Sequence, residues 1–299
     1  MATFVPGTVR VTVPSTSANL GPGFDSLGLA LSLRDSLEAE IIDGGLHVEV
    51  TGAGAGDVPR DETHLVVRSM RAAFAAMGAE PAGLSLRCIN VIPHGRGLGS
   101  SSAAIVGGVS LARALVAGGQ LLLDDEAVFR LAADIEGHPD NVAPAFYGGF
   151  VISGREHEQW YAVPTGVDPR VTAVVFVPPT PVETKVARGL LPAVVPHADA
   201  AANSGRAALL VAALAGRPEH LLAATRDYLH QDQREPAMPE SLALMRSLRA
   251  DGIPAVISGA GPTVLAFSNG TDHDLVVRTP AGWTCHQLDV DPAGALVGE

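Results

Sequence analysis

The string PHGRGLGSSSAA, at 93–104, holds the residues of this sequence best suited to chemistry. Gly95, Gly97 and Gly99 permit positive φ and let backbone N–H groups come close to a ligand. An apolar helical pattern starts near Ser101, and a helix start adds unpaired N–H groups and a positive dipole end at the same spot. Together these features form an anion site, for which phosphate is the usual occupant. It is not a Walker A loop, because the only lysine of the chain is Lys185, and a dinucleotide-binding GxGxxG turn is out of register. A cradle without lysine has to neutralise phosphate with backbone amides, serine hydroxyls and a metal ion. The competing reading is a serine-capped glycine loop with no ligand; three serines in a row exceed the one side chain that a cap uses.

A second constellation lies at 136–141. Magnesium usually takes one or two protein oxygens and bridges phosphates in phosphoryl transfer. Glu136 ends a helical pattern just before Gly137, His138 and Pro139, so its carboxylate can enter a cleft. As a merely solvated helix end it would face an unfavourable dipole. Asp140 and Asn141 can position an acceptor hydroxyl, or simply form a turn. His138 has no neighbouring histidine or cysteine with which to bind a metal, so a turn-stabilising hydrogen bond is the better assignment. In SANLGPGFD (17–25), Asn19 and Asp25 either bond their own backbone or, for Asp25, meet an ammonium group. SGAGPT (258–263) is a third glycine-rich loop, by itself readable as a hairpin turn.

These loops need elements to hold them. The sequence predicts a strand at 9–13 ended by Pro14, a turn over 15–25, and further strand to about residue 50. A surface loop at 52–61 precedes a helix over 62–77, whose stripe is Leu65, Val66, Met70, Phe74 and Met77. A strand at 84–92 feeds the glycine-serine loop, and helices follow over 103–116 and 124–136. The second half gives strands near 150–153 and 172–177, helices over 199–214, 217–231 and 239–251, and a strand-turn-strand unit at 255–268.

At 299 residues the chain exceeds the size at which one core stops growing, so two packed lobes are expected. A hydrophobic content of 47% supports a real core, and with only 4% aromatic residues it must consist mainly of Ala, Val and Leu. The net charge of −12 argues against nucleic acid, which needs clustered cations. Cys88 and Cys285 fit neither a metal spacing nor a disulfide framework. No signal-peptide pattern and no long apolar run is visible, so a cytoplasmic location without a membrane partner is expected.

In order and content, these strings resemble the galactokinase, homoserine kinase, mevalonate kinase and phosphomevalonate kinase (GHMP) superfamily. PHGRGLGSSSAA is similar to its second motif and SGAGPT to its third. SANLGPGFD, EGHPDNVAPA (136–145) and TKVARGLLP (184–192) resemble the homoserine kinase branch.

The resemblance implies an α+β fold of two lobes: an N-terminal one (1–160) like domain 2 of ribosomal protein S5, with a left-handed β-α-β unit, and a ferredoxin-like C-terminal one (161–299). It implies ATP and Mg²⁺, L-homoserine as acceptor, a role in threonine biosynthesis, and a possible homodimer. Pro93, His94, Gly95, Arg96, Gly97, Leu98, Gly99, Ser100, Ser101 and Ser102 would wrap the nucleotide phosphates. Ser100, or its neighbour Ser101, would hold the metal with Glu136. His64 stands where homoserine kinases usually place an asparagine near adenine. Asn19, Asp25, His138, Asn141, Thr184, Arg188, Arg234 and Gly261 would surround homoserine, the arginines taking its carboxylate. Asn141 occupies the position where the mevalonate branch has a basic aspartate, which leaves Asp140 or no residue at all as base. The alternatives are a kinase of the same superfamily acting on mevalonate or a sugar, and a non-catalytic binding paralogue.

Overall fold

A long antiparallel pair forms the spine: β1 (Val9–Asn19) and β2 (Gly23–Ile42). In the computed structural model, which describes residues 3–268 and 273–298 (at His273 only the backbone), β1 does not stop at Pro14. The register shifts between Pro14 and Ser15, and at such a bulge the missing proline N–H costs no ladder bond. The strand therefore runs on through Ser15, Thr16 and Ser17, all fully buried, and the expected long turn shrinks to a few residues around Gly21. That extension sets the site, because it brings Thr16 N–H to the Leu98 carbonyl of the second glycine loop and Ser17 Oγ to Ser258 of the third.

The first sheet is completed by β3 (Gly45–Gly52), α1 (Leu65–Ala76) and β4 (Gly83–Asn90), a parallel β-α-β crossover. Next come α2 (Ser100–Leu115), α3 (Gly119–Leu122), α4 (Asp125–Glu136) and α5 (Val142–Tyr147). The hairpin β5 (Phe150–Glu156) and β6 (Gln159–Thr165) pairs with β2 through Leu27 to Leu29. Helix α2 is apolar nearly all round and lies in the middle of the core. It packs this closely because Gly108 has no side chain: a Cβ there would sit 2.6 Å from the Val66 carbonyl oxygen of α1.

The second sheet has the order β10-β7-β9-β8 and is antiparallel throughout. Its strands are β7 (Thr172–Val177), β8 (Ala255–Ile257), β9 (Val264–Ser268) and β10 (Thr284–Asp289). Numbered within this sheet the order is 4-1-3-2, the ferredoxin-like arrangement. Between β7 and β8 lie α6 (Thr184–Gly189), α7 (His197–Gly216), α8 (Leu221–Ala224) and α9 (Pro239–Ala250). The short α10 (His273–Val276) follows β9, and β11 (Leu296–Gly298) returns to pair with β1. Alternate residues of β7 face opposite ways: Ala173, Val175 and Val177 join the large core, while Val174 and Phe176 pack with Leu242 and Ile257.

The helix expected over 217–231 ends at Ala224. The Asp227 carboxylate accepts the amides of Leu229, His230 and Gln231, offering the backbone an alternative to the helical ladder. Helix α6 was not anticipated. No helix among the described residues is long and apolar enough to cross a membrane.

Candidate active site

The glycine-serine loop takes the conformation its glycines permit, with φ of 64°, 73° and 72° at Gly95, Gly97 and Gly99. No side chain caps α2, so the N–H groups of its first turn stay available to an anion. The loop is held from two sides. Thr16 N–H donates to the Leu98 carbonyl (3.0 Å), and Ser258 Oγ lies 2.6 Å from the Gly97 carbonyl and 2.8 Å from Ser17 Oγ. A Cβ on Gly97 would come within 2.3 Å of the Ser258 carbonyl oxygen, so glycine lets the second and third loops touch. Gly259 N–H donates to Ala18, and Asn19 Nδ2 donates back to the Gly259 carbonyl at 2.9 Å. Arg96 points away from the cavity, to the carbonyls of His94, Pro178 and Pro179, and anchors the loop to the other lobe.

Beside the helix start, Glu136 Oε1 accepts from Ser101 Oγ (2.6 Å) and Ser102 Oγ (2.8 Å). Ser100 lines the same cavity and makes no side-chain hydrogen bond among the described residues. One carboxylate with adjacent hydroxyls at a phosphate-binding helix start is a hard oxygen donor set of the kind magnesium takes. His138 Nδ1 lies 3.0 Å from Asp140 Oδ1, and that hydrogen bond raises the histidine pKa. Asn141 Oδ1 accepts from Thr16 Oγ1 at 2.8 Å.

Opposite these groups are two arginines. Arg188 of α6 grips Asp25 in a bidentate pair (2.6 and 3.0 Å), which raises the arginine pKa. Asp25 has φ 53°, and its N–H donates to Asn19 Oδ1, so the Asx side chain does bond local backbone. Arg234 is 1% exposed, and it donates to the Gly259 carbonyl and to His230 Nδ1, both at 3.0 Å. Its Nε has no partner among the described residues, and burial together with nearby Arg188 pushes its pKa down to about 10. Both guanidiniums lie over the Phe24 ring, Arg188 at 5.5 Å and Arg234 at 5.7 Å from its centroid. Buried His230 accepts from Arg234 at Nδ1 and donates through Nε2 to the Gly21 carbonyl (2.7 Å), which fixes a neutral ring. Burial lowers its pKa accordingly.

A cavity of about 230 Å³ joins these groups, bordered by the loop glycines, Ser100, Ser101, Glu136, His138, Asp140, Asn141, Asn19, Thr184, Arg188 and Arg234. Asp25 stands behind Arg188, while Gly259 and Ala260 rather than Gly261 reach the cavity wall. Pro93, Leu98 and Ser102 do not line that cavity; Leu98 is tied to Thr16 and Ser102 to Glu136. A second, more apolar cavity of about 260 Å³ shares Ser100 and Ser101 and adds His64, His94, Asp35 and Cys88. His64 Nδ1 is buried without a partner among the described residues, and burial lowers the pKa of the ring. Asp35 Oδ1 receives the amides of Val91 and Ile92 just before the glycine loop, and burial raises its pKa. Sequence reasoning missed Thr16, Phe24, Asp35, His230 and Ser258. The SANLGPGFD string hinted at Phe24 and the SGAGPT string at Ser258, and nothing flagged the others.

Two family models match the chain, "GHMP kinases N terminal domain" over 64–149 and "GHMP kinases C terminal" over 207–279. The homoserine kinase of Streptomyces avermitilis is 57% identical over 290 residues, covering 97% of this chain and 95% of that protein. The homoserine kinase of Clavibacter michiganensis is 50% identical, with coverage of 97% and 93%. The crystal structure of homoserine kinase from Cytophaga hutchinsonii superposes with a TM-score of 0.82 at 26% identity, over 97% of each chain.

Proposed function

This chain belongs to the homoserine kinase family of the GHMP kinases, and from that premise we propose that it transfers the γ-phosphoryl group of ATP to the hydroxyl of L-homoserine, yielding ADP and O-phospho-L-homoserine. One observation carries the acceptor assignment. Arg234, a buried guanidinium with no carboxylate partner among the described residues, borders the same cavity as the phosphate loop and Glu136. A buried cation without an anion calls for one, and a guanidinium fork suits a carboxylate. Asp25 supplies the complementary partner for an α-ammonium, and its pairing with Arg188 keeps both groups aligned until substrate competes for them. A hydroxyl acceptor that carries both charges satisfies both ends.

The remaining groups divide the work by position. The first-turn amides of α2 and the backbone of Gly95 to Gly99 cradle the phosphates. The apolar second cavity, with His64 on its wall, takes the nucleotide base. Glu136, with Ser100 or Ser101, would hold Mg²⁺, which would supply charge neutralisation for the transferring phosphoryl group. Asn19, Thr184, His138, Gly259 and Ala260 border the acceptor. Asn141 directs the acceptor hydroxyl toward the phosphate. Phosphoryl transfer is dissociative enough that alignment and charge stabilisation can suffice without a dedicated base. Asp140, which the His138 hydrogen bond keeps engaged, is the fallback base.

The test is ADP release from Mg-ATP with L-homoserine, L-serine, L-threonine, mevalonate and galactose. Turnover with homoserine alone is expected. Turnover with another alcohol retains the kinase chemistry and overturns the acceptor, whereas silence with all five points to a binding paralogue.

A further inference from the structure

Asparagine is among the best N-cap residues because its side chain accepts a free N–H of the first turn. Asn141 occupies the N-cap position of α5 and makes no such bond. Its Oδ1 turns instead to Thr16 Oγ1, 2.8 Å away. Thr16 has no other acceptor for its hydroxyl proton among the described residues, so the hydroxyl donates and the amide carbonyl accepts. The hydroxyl lies in a closed socket. Thr16 is fully buried, its N–H is tied to the Leu98 carbonyl at 3.0 Å, and its backbone pairs with Ala30 of β2. A Cβ on Gly99 would lie 1.9 Å from Thr16 Oγ1 and 3.2 Å from Asn141 Oδ1. The left-handed glycine that starts α2 thus makes room for this contact, and one threonine touches both the phosphate loop and the amide.

We propose that Thr16 is a positioning residue for phosphoryl transfer, holding the Asn141 amide so that its Nδ2 donors, not its oxygen, face the reacting groups. The terminal torsion of an asparagine is broad and nearly two-fold, so without a fixed partner the amide samples both orientations. In the held orientation an N–H donor faces oxygens that carry negative charge in the transition state. In the flipped one a carbonyl oxygen opposes them. This inference rests on the kinase reading above and deepens it at a residue that does not itself touch substrate.

The experiment is a double-mutant cycle. Thr16→Val replaces the hydroxyl with a methyl of equal size, and its kcat is expected to fall tenfold or more while KM for ATP and for homoserine stays within about threefold. In an Asn141→Ala background the same substitution is expected to change kcat by less than twofold, because the amide it orients is gone. Should Thr16→Val fail to fold, the pair Thr16→Ser and Thr16→Ala differs only in the hydroxyl, and serine is expected to recover most of the turnover that alanine loses. Wild-type kcat in Thr16→Val, losses that multiply in the Asn141→Ala background, or serine as slow as alanine would overturn the role. Wild-type turnover in the same assay reports on the kinase reading separately, and the cycle can use whichever acceptor proves active. The Asn141 side-chain amide resonances supply a check independent of activity. They are expected to shift in Thr16→Val and Thr16→Ala but not in Thr16→Ser, and unmoved resonances in all three would equally sink the proposal.

Discussion

Replacing Arg234 with methionine separates what this guanidinium does for the fold from what it does for the site. The side chain is 1% exposed, and its pKa is pushed down to about 10, chiefly by burial and then by the Arg188 cation. At 1.36 kcal/mol per pKa unit, keeping it charged costs the fold about 3 kcal/mol. Its two hydrogen bonds, each worth about 1.5–3 kcal/mol from a charged donor, and the Phe24 contact, worth about 1–2 kcal/mol, offset that cost. Methionine fills much of the same volume, buries apolar surface and leaves no buried charge behind. The expected change in unfolding free energy is within about 2 kcal/mol, less than the roughly 3–5 kcal/mol lost when a buried ion pair is broken. The substrate end behaves differently. A charge-assisted bond to a carboxylate in a desolvated pocket is worth several kcal/mol, so KM for homoserine is expected to rise about a hundredfold or more, with KM for ATP nearly unchanged. Urea unfolding and coupled ADP release measure the two quantities on one preparation. A loss of 4 kcal/mol or more with an unchanged homoserine KM would refute the reasoning, since Arg234 would then be a structural cation.

Other substitutions probe the remaining groups. Glu136→Ala is expected to cut turnover about a hundredfold or more at saturating Mg-ATP and to leave the unfolding midpoint unchanged, as Ser101 and Ser102 lose only hydroxyl contacts; normal turnover there would remove Glu136 from the metal site. Arg188→Ala frees Asp25 and should raise KM for homoserine about tenfold with little effect on ATP, and an equal rise in both would place Arg188 elsewhere in the reaction. Because Asp140 raises the His138 pKa, Asp140→Asn should return the imidazole titration, followed by NMR, toward its ordinary value. The stability this pair contributes is fully present below the unfolded histidine pKa of about 6.5 and fades as pH rises through the higher folded value. The stability gap between wild type and Asp140→Asn should therefore be wider at low pH than at high pH, and a gap independent of pH would contradict the assignment.

The glycine-serine loop, the carboxylate before the HPDN turn and the two-lobed strand-helix order were legible in the sequence because local rules write them. Glycines mark positive φ, an apolar run after the serines marks a helix start, and apolar spacing marks buried faces. The same rules misplaced the end of β1, since Pro14 reads as a stop when only local pairing is considered. What keeps the strand going is its long-range partner β2, whose register shifts at that residue. From that one extension follow the contacts no local rule can foresee: Thr16 with Asn141, Ser17 with Ser258, Asn19 with Gly259. Likewise, Asp25 stands 163 positions before Arg188 and 209 before Arg234, and their residue types alone allowed several partners. Only the meeting of α6 and the Asp232–Ala237 turn at Phe24 of β2 decided that one arginine pairs with a carboxylate while the other, among the described residues, is buried without one. Sequence thus determined which chemical groups the chain carries and where its backbone can turn. Tertiary structure decided which of them share a cavity and what charge state each holds there, because desolvation and pairing depend on neighbours distant along the chain.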